Sequence, residues 1–175
     1  TDPTDPTDPT NPTDPTGPTD PVFETDFTIL SGQTGTGSFD VKGKHFWTFE
    51  ASAGDYITAS LGDSGQNAFD PYLELISPSG TTLSYNGGEN GAFVYKKISE
   101  TGSYTLSVRD SGNNDAGTYI MSLVVSGKTQ TLSPGDQGGS LTNGTTVNGT
   151  ISMGELDGWT FTAKAGDYIT ATLGD

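Results

Sequence analysis

Residues 47–63 read WTFEASAGDYITASLGD, and residues 159–175 repeat them as WTFTAKAGDYITATLGD. The two stretches lie 112 residues apart and share 14 of 17 positions. This spacing is typical of a whole domain, since solenoid repeats run only about 20–50 residues. Apolar and polar residues alternate on both sides of Ala53–Asp55, which predicts two strands, each buried on one face, joined by a turn. The sequence therefore predicts one domain that begins with this hairpin and a second that begins with its copy.

The same alternation, with Gly, Pro, Asn or Asp at each junction, predicts eight short strands and no helix in the first unit. The predicted strands cover residues 36–41, 44–51, 55–61, 71–77, 81–85, 92–98, 103–109 and 118–125. A short leading strand around Phe27 is expected to pack on the domain or to lie across its edge. The predicted inward side chains are Trp47, Phe49, Ile57, Ala59, Leu61, Leu73, Leu75, Tyr104, Leu106, Val108, Tyr119, Met121, Leu123 and Val125. They are enough for the core of one β-sandwich.

Composition limits the functions that the chain can have. Its 175 residues contain no Cys, which excludes disulfides, thiolate metal sites and a Cys nucleophile. The formal net charge of −15 makes nucleic acid and anionic membranes poor partners. The sequence has neither an apolar run long enough to span a membrane nor a signal peptide. A secreted or cell-surface location is expected, with any export signal upstream of Thr1.

The chain divides by composition into four parts. Residues 1–21 repeat Thr-Asp-Pro and lack apolar side chains, which predicts a disordered, extended linker. Residues 22–127 are expected to form the complete sandwich, and residues 128–140 a second linker. Residues 141–175 are expected to be the truncated start of a second copy.

Four features in order resemble the bacterial pre-peptidase C-terminal (PPC) domain. They are the repeated hairpin, FDPYLEL at 69–75, SPSG at 77–80, and two Gly-x-Tyr strands at 102–108 and 117–123. The resemblance covers about residues 30–126, and residues 141–175 as part of a second copy. It implies a jelly-roll-like antiparallel β-sandwich that acts as an accessory module beside catalytic domains of secreted proteases. Some relatives of this family in collagenases bind calcium and collagen.

The residues offer little for catalysis and more for calcium. His45 is the only histidine, and no G-x-S-x-G or H-E-x-x-H motif accompanies it. Three loops rich in Asp, Asn and Gly follow the third, fifth and seventh predicted strands and should therefore meet at one end of the sandwich. These loops are candidates for a calcium site. The alternative is that their residues only form solvated turns. The candidate ligands are Asp63, Asp70, Glu89, Asp110 and Asp115.

Tyr72, Tyr85 and Tyr95 are candidates for a ligand-binding surface, because aromatic side chains on a flat sheet can stack on sugar rings or pack on a fibrous protein. The alternative is that they belong to the core. The predicted function is a non-catalytic module that attaches a secreted bacterial protein to an extracellular protein or polysaccharide. The alternatives are a calcium-stabilised adhesion or spacer repeat and a secretion or processing appendage of a protease. Neighbouring domains of the same chain are further expected partners.

Overall fold

The computed structural model describes residues 24–65, 69–89, 91–151 and 155–174, with the backbone alone for residues 24–26. These residues form eleven β-strands and no helix. The strands are β1 (Glu24–Thr28), β2 (Thr34–Phe39), β3 (Lys44–Ala51), β4 (Tyr56–Asp63), β5 (Pro71–Ile76), β6 (Thr82–Gly87), β7 (Ala92–Lys97), β8 (Gly102–Asp110), β9 (Gly117–Val125), β10 (Gly138–Ser140) and β11 (Gly158–Thr160). The linker predicted for residues 1–21 lies outside the described residues.

Strands β1–β9 form two sheets. Sheet A has the order β1-β3-β8-β5-β6, and sheet B has the order β2-β9-β4-β7. Neighbouring strands are antiparallel, except that β1 runs parallel to β3 at the edge of sheet A. The chain crosses between the sheets at nearly every turn, and the inner faces of both sheets enclose one core. The predicted fold class, an all-β, jelly-roll-like antiparallel sandwich, is confirmed.

The eight predicted strands correspond to β2–β9, with ends that differ by two residues or fewer. The prediction was wrong for Val41, which was assigned to the first strand. A turn begins at Asp40, because the Gly43 N–H donates to the Asp40 carbonyl at 2.7 Å and Lys42 takes a φ of +66°. Val41 is consequently 53% exposed on this turn.

The core contains every predicted inward side chain, and each is buried. Residues that were not among the predicted inward side chains complete it, among them Ile29, Phe39, Phe69, Val94 and Ile98. Burial of a large apolar side chain stabilises the fold by about 1.5–3 kcal/mol. Period-two alternation alone therefore located most of the core.

A buried polar contact joins the two sheets inside this core. The Tyr119 hydroxyl on β9 accepts the indole N–H of Trp47 on β3 at 2.9 Å and lies 2.8 Å from Nδ1 of His45. Gly35 and Gly37 on β2 leave room for these rings: a Cβ atom at 37 would lie 2.6 Å from the Tyr119 hydroxyl oxygen, and one at 35 would lie 2.8 Å from the Trp47 ring. Burial raises the pKa of Tyr119 to about 12, although the hydrogen bond from Trp47 lowers it.

The hydrogen bonds of the first unit recur 112 residues later. The Ile29 N–H donates to the Thr48 carbonyl (3.0 Å), as Leu141 does to Thr160 (2.7 Å). Further equivalent pairs are Thr48 Oγ1 to Phe27 O and Thr160 Oγ1 to Gly139 O, Gln33 N to Leu30 O and Thr145 N to Thr142 O, and Ser52 N to Asp55 Oδ2 and Lys164 N to Asp167 Oδ2. Strand β10 pairs parallel with β11 as β1 does with β3, in the same register. The 112-residue repeat is therefore present in local backbone structure as well as in sequence.

The repeat ends where distant partners are needed. Phe161, Ile169 and Leu173 are 53%, 55% and 102% exposed, whereas their equivalents in the first unit are buried. Within the described range, residues 161–174 form no strand. A turn needs only its own residues, but an amphipathic strand needs a facing sheet.

The segment after β9 is attached to the first unit. The Thr131 N–H donates to the Ser31 carbonyl at 2.7 Å, and the Thr34 N–H donates to Ser133 Oγ at 2.9 Å. Gly32, with a φ of +91°, allows this approach, because a Cβ atom there would lie 2.8 Å from the Thr131 nitrogen. The first part of the predicted second linker is thus bound to the sandwich.

We expect the substitution Tyr119→Phe to lower the free energy of unfolding by about 1–3 kcal/mol, because Trp47 loses a buried hydrogen-bond acceptor. The exposed Tyr95→Phe should change it by less than about 0.5 kcal/mol. A raised pKa means that the fold favours the neutral phenol, so the Tyr119 contribution is present below about pH 10 and is lost as the pH rises to about 12. Denaturant unfolding across this range should therefore show a steeper loss for the unmodified chain than for Tyr119→Phe. If Tyr119→Phe were as stable as the unmodified chain at neutral pH, the role assigned to the Tyr119 hydroxyl would be contradicted.

We expect a chain ending at Pro134 to keep its melting temperature within about 2 °C of the full chain, because it retains the Thr131 and Ser133 hydrogen bonds. A chain ending at Gly127 loses both and should melt about 4–8 °C lower, a shift of about 1 kcal/mol. Thermal unfolding by circular dichroism compares the three chains. If the chain ending at Pro134 melts as low as the one ending at Gly127, residues beyond 134 stabilise the sandwich.

Candidate functional site

The three acidic loops lie at one end of the sandwich. The Ser64 N–H donates to the Thr118 carbonyl, the Ser111 N–H to the Asp70 carbonyl, and the Gly88 N–H to the Pro71 carbonyl. The ends of β4, β6 and β8 are thereby adjacent to the starts of β5 and β9. Alternating strand direction predicted this arrangement.

Asp110 is buried at this end, with only 2% of its surface exposed. Its carboxylate accepts the backbone N–H groups of Asp70 and Asn114, each at 3.0 Å. Burial alone would raise its pKa, but hydrogen bonds from the backbones of Asn114, Asp70, Asp115 and Gly112 outweigh this and lower the pKa. Asp110 therefore joins the loop after β8 to the start of β5. Both of its carboxylate oxygens accept hydrogen bonds from backbone N–H groups.

The other predicted calcium ligands are more exposed than Asp110 and do not form a cluster around it. Asp63 Oδ1 accepts the Gly65 N–H at 2.7 Å, and Asp115 Oδ2 accepts from the Asn114 amide at 2.6 Å. Glu89 is exposed and Asp70 is half-buried. Among the described residues, no three His, Asp or Glu side chains are grouped closely enough to hold a metal ion. Residues 66–68 and 90 of these loops lie outside the described range, and calcium binding stays a prediction.

Two of the three candidate tyrosines lie together on the outer face of sheet A. Tyr72 on β5 stacks on Tyr85 of the adjacent strand β6, with ring centroids 5.9 Å apart, and the Arg109 guanidinium of β8 lies 3.7 Å from the Tyr72 ring. Arg109 also donates to the carbonyls of Asp110 and Ser111. Tyr72 is thus half-buried between its neighbours, whereas Tyr85 is 65% exposed.

Tyr95 lies on the opposite side of the molecule, on the outer face of sheet B. It stacks on Tyr56 of β4, with centroids 5.5 Å apart and planes at 19°. Phe93 precedes it on the same face of β7, because Val94 between them points into the core. Phe93, Tyr95 and Tyr56 are 53%, 58% and 37% exposed. We refer to these three residues as the aromatic strip.

Hydroxyl side chains lie beside the aromatic strip. Across the β4–β7 pair, Thr58 is opposite Tyr95 and Ser60 is opposite Phe93. Ser60 is also opposite Ser122 of β9, and their hydroxyl oxygens are 2.7 Å apart. We refer to Thr58, Ser60 and Ser122 as the hydroxyl row. Further outward hydroxyls on sheet B are those of Thr34, Thr36, Ser38 and Thr118.

This outer face is nearly free of charge. None of the outward-facing residues in β2, β4, β7 and β9 is acidic. Asp63, the last residue of β4, is opposite the inward Tyr119 at the loop end of the sandwich. The cation on this face is Lys97, whose Nζ lies 5.4 Å from the Tyr56 ring centroid. In a chain with a net charge of −15, such a face differs sharply from the acidic loops.

His45 is poorly placed for catalysis. It is 3% exposed, and Nδ1 lies beside the Tyr119 hydroxyl in the core, with Phe27 and Phe39 against the ring.

The described residues contain no helix long and apolar enough to cross a membrane.

Sequence reasoning named Tyr95 but missed Phe93 and Tyr56 as its neighbours. All three residues of the run Phe93-Val94-Tyr95 are apolar or aromatic, so alternation alone gives no preference for either face. Pairing with β4 settles it, because Val94 is opposite the buried Ala59. The signal that could have found Tyr56 is its place in the alternation, immediately before the inward Ile57.

These features define a β-sandwich module with an aromatic outer face. No protein-family profile and no curated protein matches the chain. Among solved structures, the PPC domain of a collagenase from Bacillus anthracis is similar, at 22% identity over 57% of this chain and 95% of that chain, with a TM-score of 0.47. PliG from Aeromonas hydrophila, a periplasmic inhibitor of g-type lysozyme, is 14% identical over 58% of this chain and 96% of its own, also with a TM-score of 0.47. PliG from Salmonella Typhimurium is 15% identical over 57% and 97%, with a TM-score of 0.43.

We expect Asp110→Asn to destabilise the sandwich by about 1–3 kcal/mol, since an amide cannot replace both carboxylate oxygens as acceptors. The lowered pKa means that this stabilisation is present above about pH 4 and is lost as the pH falls. The variant should therefore lose less stability than the unmodified chain on acidification, measured by denaturant unfolding. Millimolar calcium should leave the loss at neutral pH unchanged, because these bonds form between protein groups. A calcium-dependent rise in melting temperature that Asp110→Asn abolishes would instead assign Asp110 to an ion site.

Proposed function

We propose that this chain is a non-catalytic accessory module of the PPC type, part of an exported bacterial protein that it attaches to an insoluble polymer. The observation that carries the proposal is the exposed aromatic strip on a rigid sheet. Aromatic side chains on strands are ordered before binding, so they lose little conformational entropy when a ligand covers them. An exposed aromatic group with this geometry is typical of a recognition surface.

The contacts of His45 support a role without catalysis. A general base must reach a substrate proton within hydrogen-bond distance, and the only histidine of the chain is enclosed in the core beside Tyr119. Asp110, the most buried acidic residue of the described part of the chain, accepts hydrogen bonds from backbone N–H groups. The module would thus supply attachment, while a catalytic domain elsewhere in the parent protein supplies the reaction.

The 112-residue repeat supports attachment through more than one unit. We infer that residues 139–174 begin a second copy, because their local hydrogen bonds match those of the first. Two linked weak sites bind a polymer far more tightly than one, since the second contact becomes intramolecular. Tyr168 is the equivalent of Tyr56 in the repeated sequence and is fully exposed.

We expect the 175-residue chain to co-sediment with at least one insoluble polymer from a panel of fibrous proteins and polysaccharides. It should release no soluble product from that polymer, because the single histidine of the chain is enclosed in the core. Bound protein is measured by depletion from the supernatant, with a chain heated to unfold the sandwich as the control. A chain that sediments with none of the panel would contradict attachment and favour a secretion or spacer role. Release of soluble product would show an enzyme.

A further inference from the structure

We propose that the aromatic strip and the hydroxyl row together form a binding site for an uncharged polysaccharide. This inference rests on the proposed attachment function and names the chemical class of its ligand. The site is the part of sheet B formed by Phe93, Tyr95 and Tyr56 with Thr58, Ser60 and Ser122.

The arrangement matches the chemistry of a sugar ring. A pyranose has faces of C–H groups and a rim of hydroxyls, so it needs an apolar plane with hydrogen-bonding groups at its edge. The register provides both at adjacent positions, because Phe93 is opposite Ser60 and Tyr95 is opposite Thr58. Opposite residues on neighbouring strands are about 5 Å apart, so one sugar can touch a ring and a hydroxyl at once.

The strip is extended in the direction that a polymer requires. Phe93 and Tyr95 are two residues apart on one strand, and their side chains are therefore about 7 Å apart along it. Successive sugars of one chain could contact successive rings. The side chains of Ser60 and Ser122 each donate and accept, as sugar hydroxyls do.

Charge favours an uncharged polymer over a polyanion or a polycation. The site holds no carboxylate to attract a cationic partner. Lys97, the cation on this face, lies over Tyr56, and the chain as a whole carries a charge of −15, which repels polyanions. Such binding should change little with ionic strength, because no ion pair forms.

The test uses the 175-residue chain and the double variant Phe93→Ser/Tyr95→Ser. Both side chains are more than half exposed, so their removal should leave the fold intact. The matched control is Tyr85→Ser, which removes an exposed tyrosine from an edge strand of the opposite sheet. The probes are insoluble cellulose, chitin and β-1,3-glucan, with alginate gel as an anionic polysaccharide and fibrillar collagen as a protein.

We expect retention on at least one of the three uncharged polysaccharides, with affinity unchanged between about 0.1 M and 1 M NaCl. The double variant should bind that polymer at least about tenfold more weakly, whereas Tyr85→Ser should bind as the unmodified chain does. If the double variant melts more than about 8 °C lower, its loss of binding could come from unfolding, and the test is then made on the unmodified chain. The ring proton resonances of Phe93 and Tyr95 should then shift when soluble oligosaccharide of the same polymer is added.

The outcomes separate this inference from the proposed function. Retention on collagen alone, weakened by the double variant, would overturn the polysaccharide while leaving attachment in place. Retention on an uncharged polysaccharide that Tyr85→Ser weakens and the double variant does not would move the site to sheet A and overturn the inference. Retention on no polymer would overturn both.

Discussion

One buried hydroxyl group links the two sheets of this protein inside the core. Tyr119 of sheet B accepts from Trp47 of sheet A and lies beside His45, so a polar contact joins the two layers inside the core. A polar group enclosed in a core costs stability unless it is paired, and a paired one fixes the position of its partners. The contact requires glycine at 35 and 37, because any larger residue would meet the rings. The alternating glycines of β2 thus follow from the need to seat two large side chains under one strand.

Strand pairing within sheet B decides which side chains lie on its outer face. A shift of one residue in the pairing of β4 with β7 would exchange Val94 with its neighbours and bury the aromatic strip. The observed register places Val94 opposite Ala59 in the core and leaves Phe93 and Tyr95 outside. The candidate binding surface is therefore a consequence of core packing. It needs no loop to order before a ligand arrives, which distinguishes it from the acidic loops at the end of the sandwich.

The sequence was sufficient for those features that depend on alternation within one strand. Positions such as Leu73 and Leu75, or Tyr104, Leu106 and Val108, are read correctly because each run has a clear apolar face. Contacts between distant strands could not be read in this way. His45 and Tyr119 are 74 residues apart, and nothing in either strand indicates that they meet. Asp110 was predicted as an ion ligand because it follows a strand in a polar loop, but its burial depends on Asp70, which arrives from a different loop.

The repeated segment shows the same division between local and distant causes within one molecule. Lys164 and Asp167 form the same turn as Ser52 and Asp55, and β11 pairs with β10 as β3 pairs with β1. Each of these contacts needs only residues that are near in sequence. The side chains of Ile169 and Leu173 remain exposed, although Ile57 and Leu61 in an almost identical sequence are fully enclosed. The difference cannot come from the hairpin itself. It comes from β7, β8 and β9, which pair with and face the first hairpin. The alternation within an amphipathic strand therefore determines which of its faces is apolar. Other strands of the domain must bury that face.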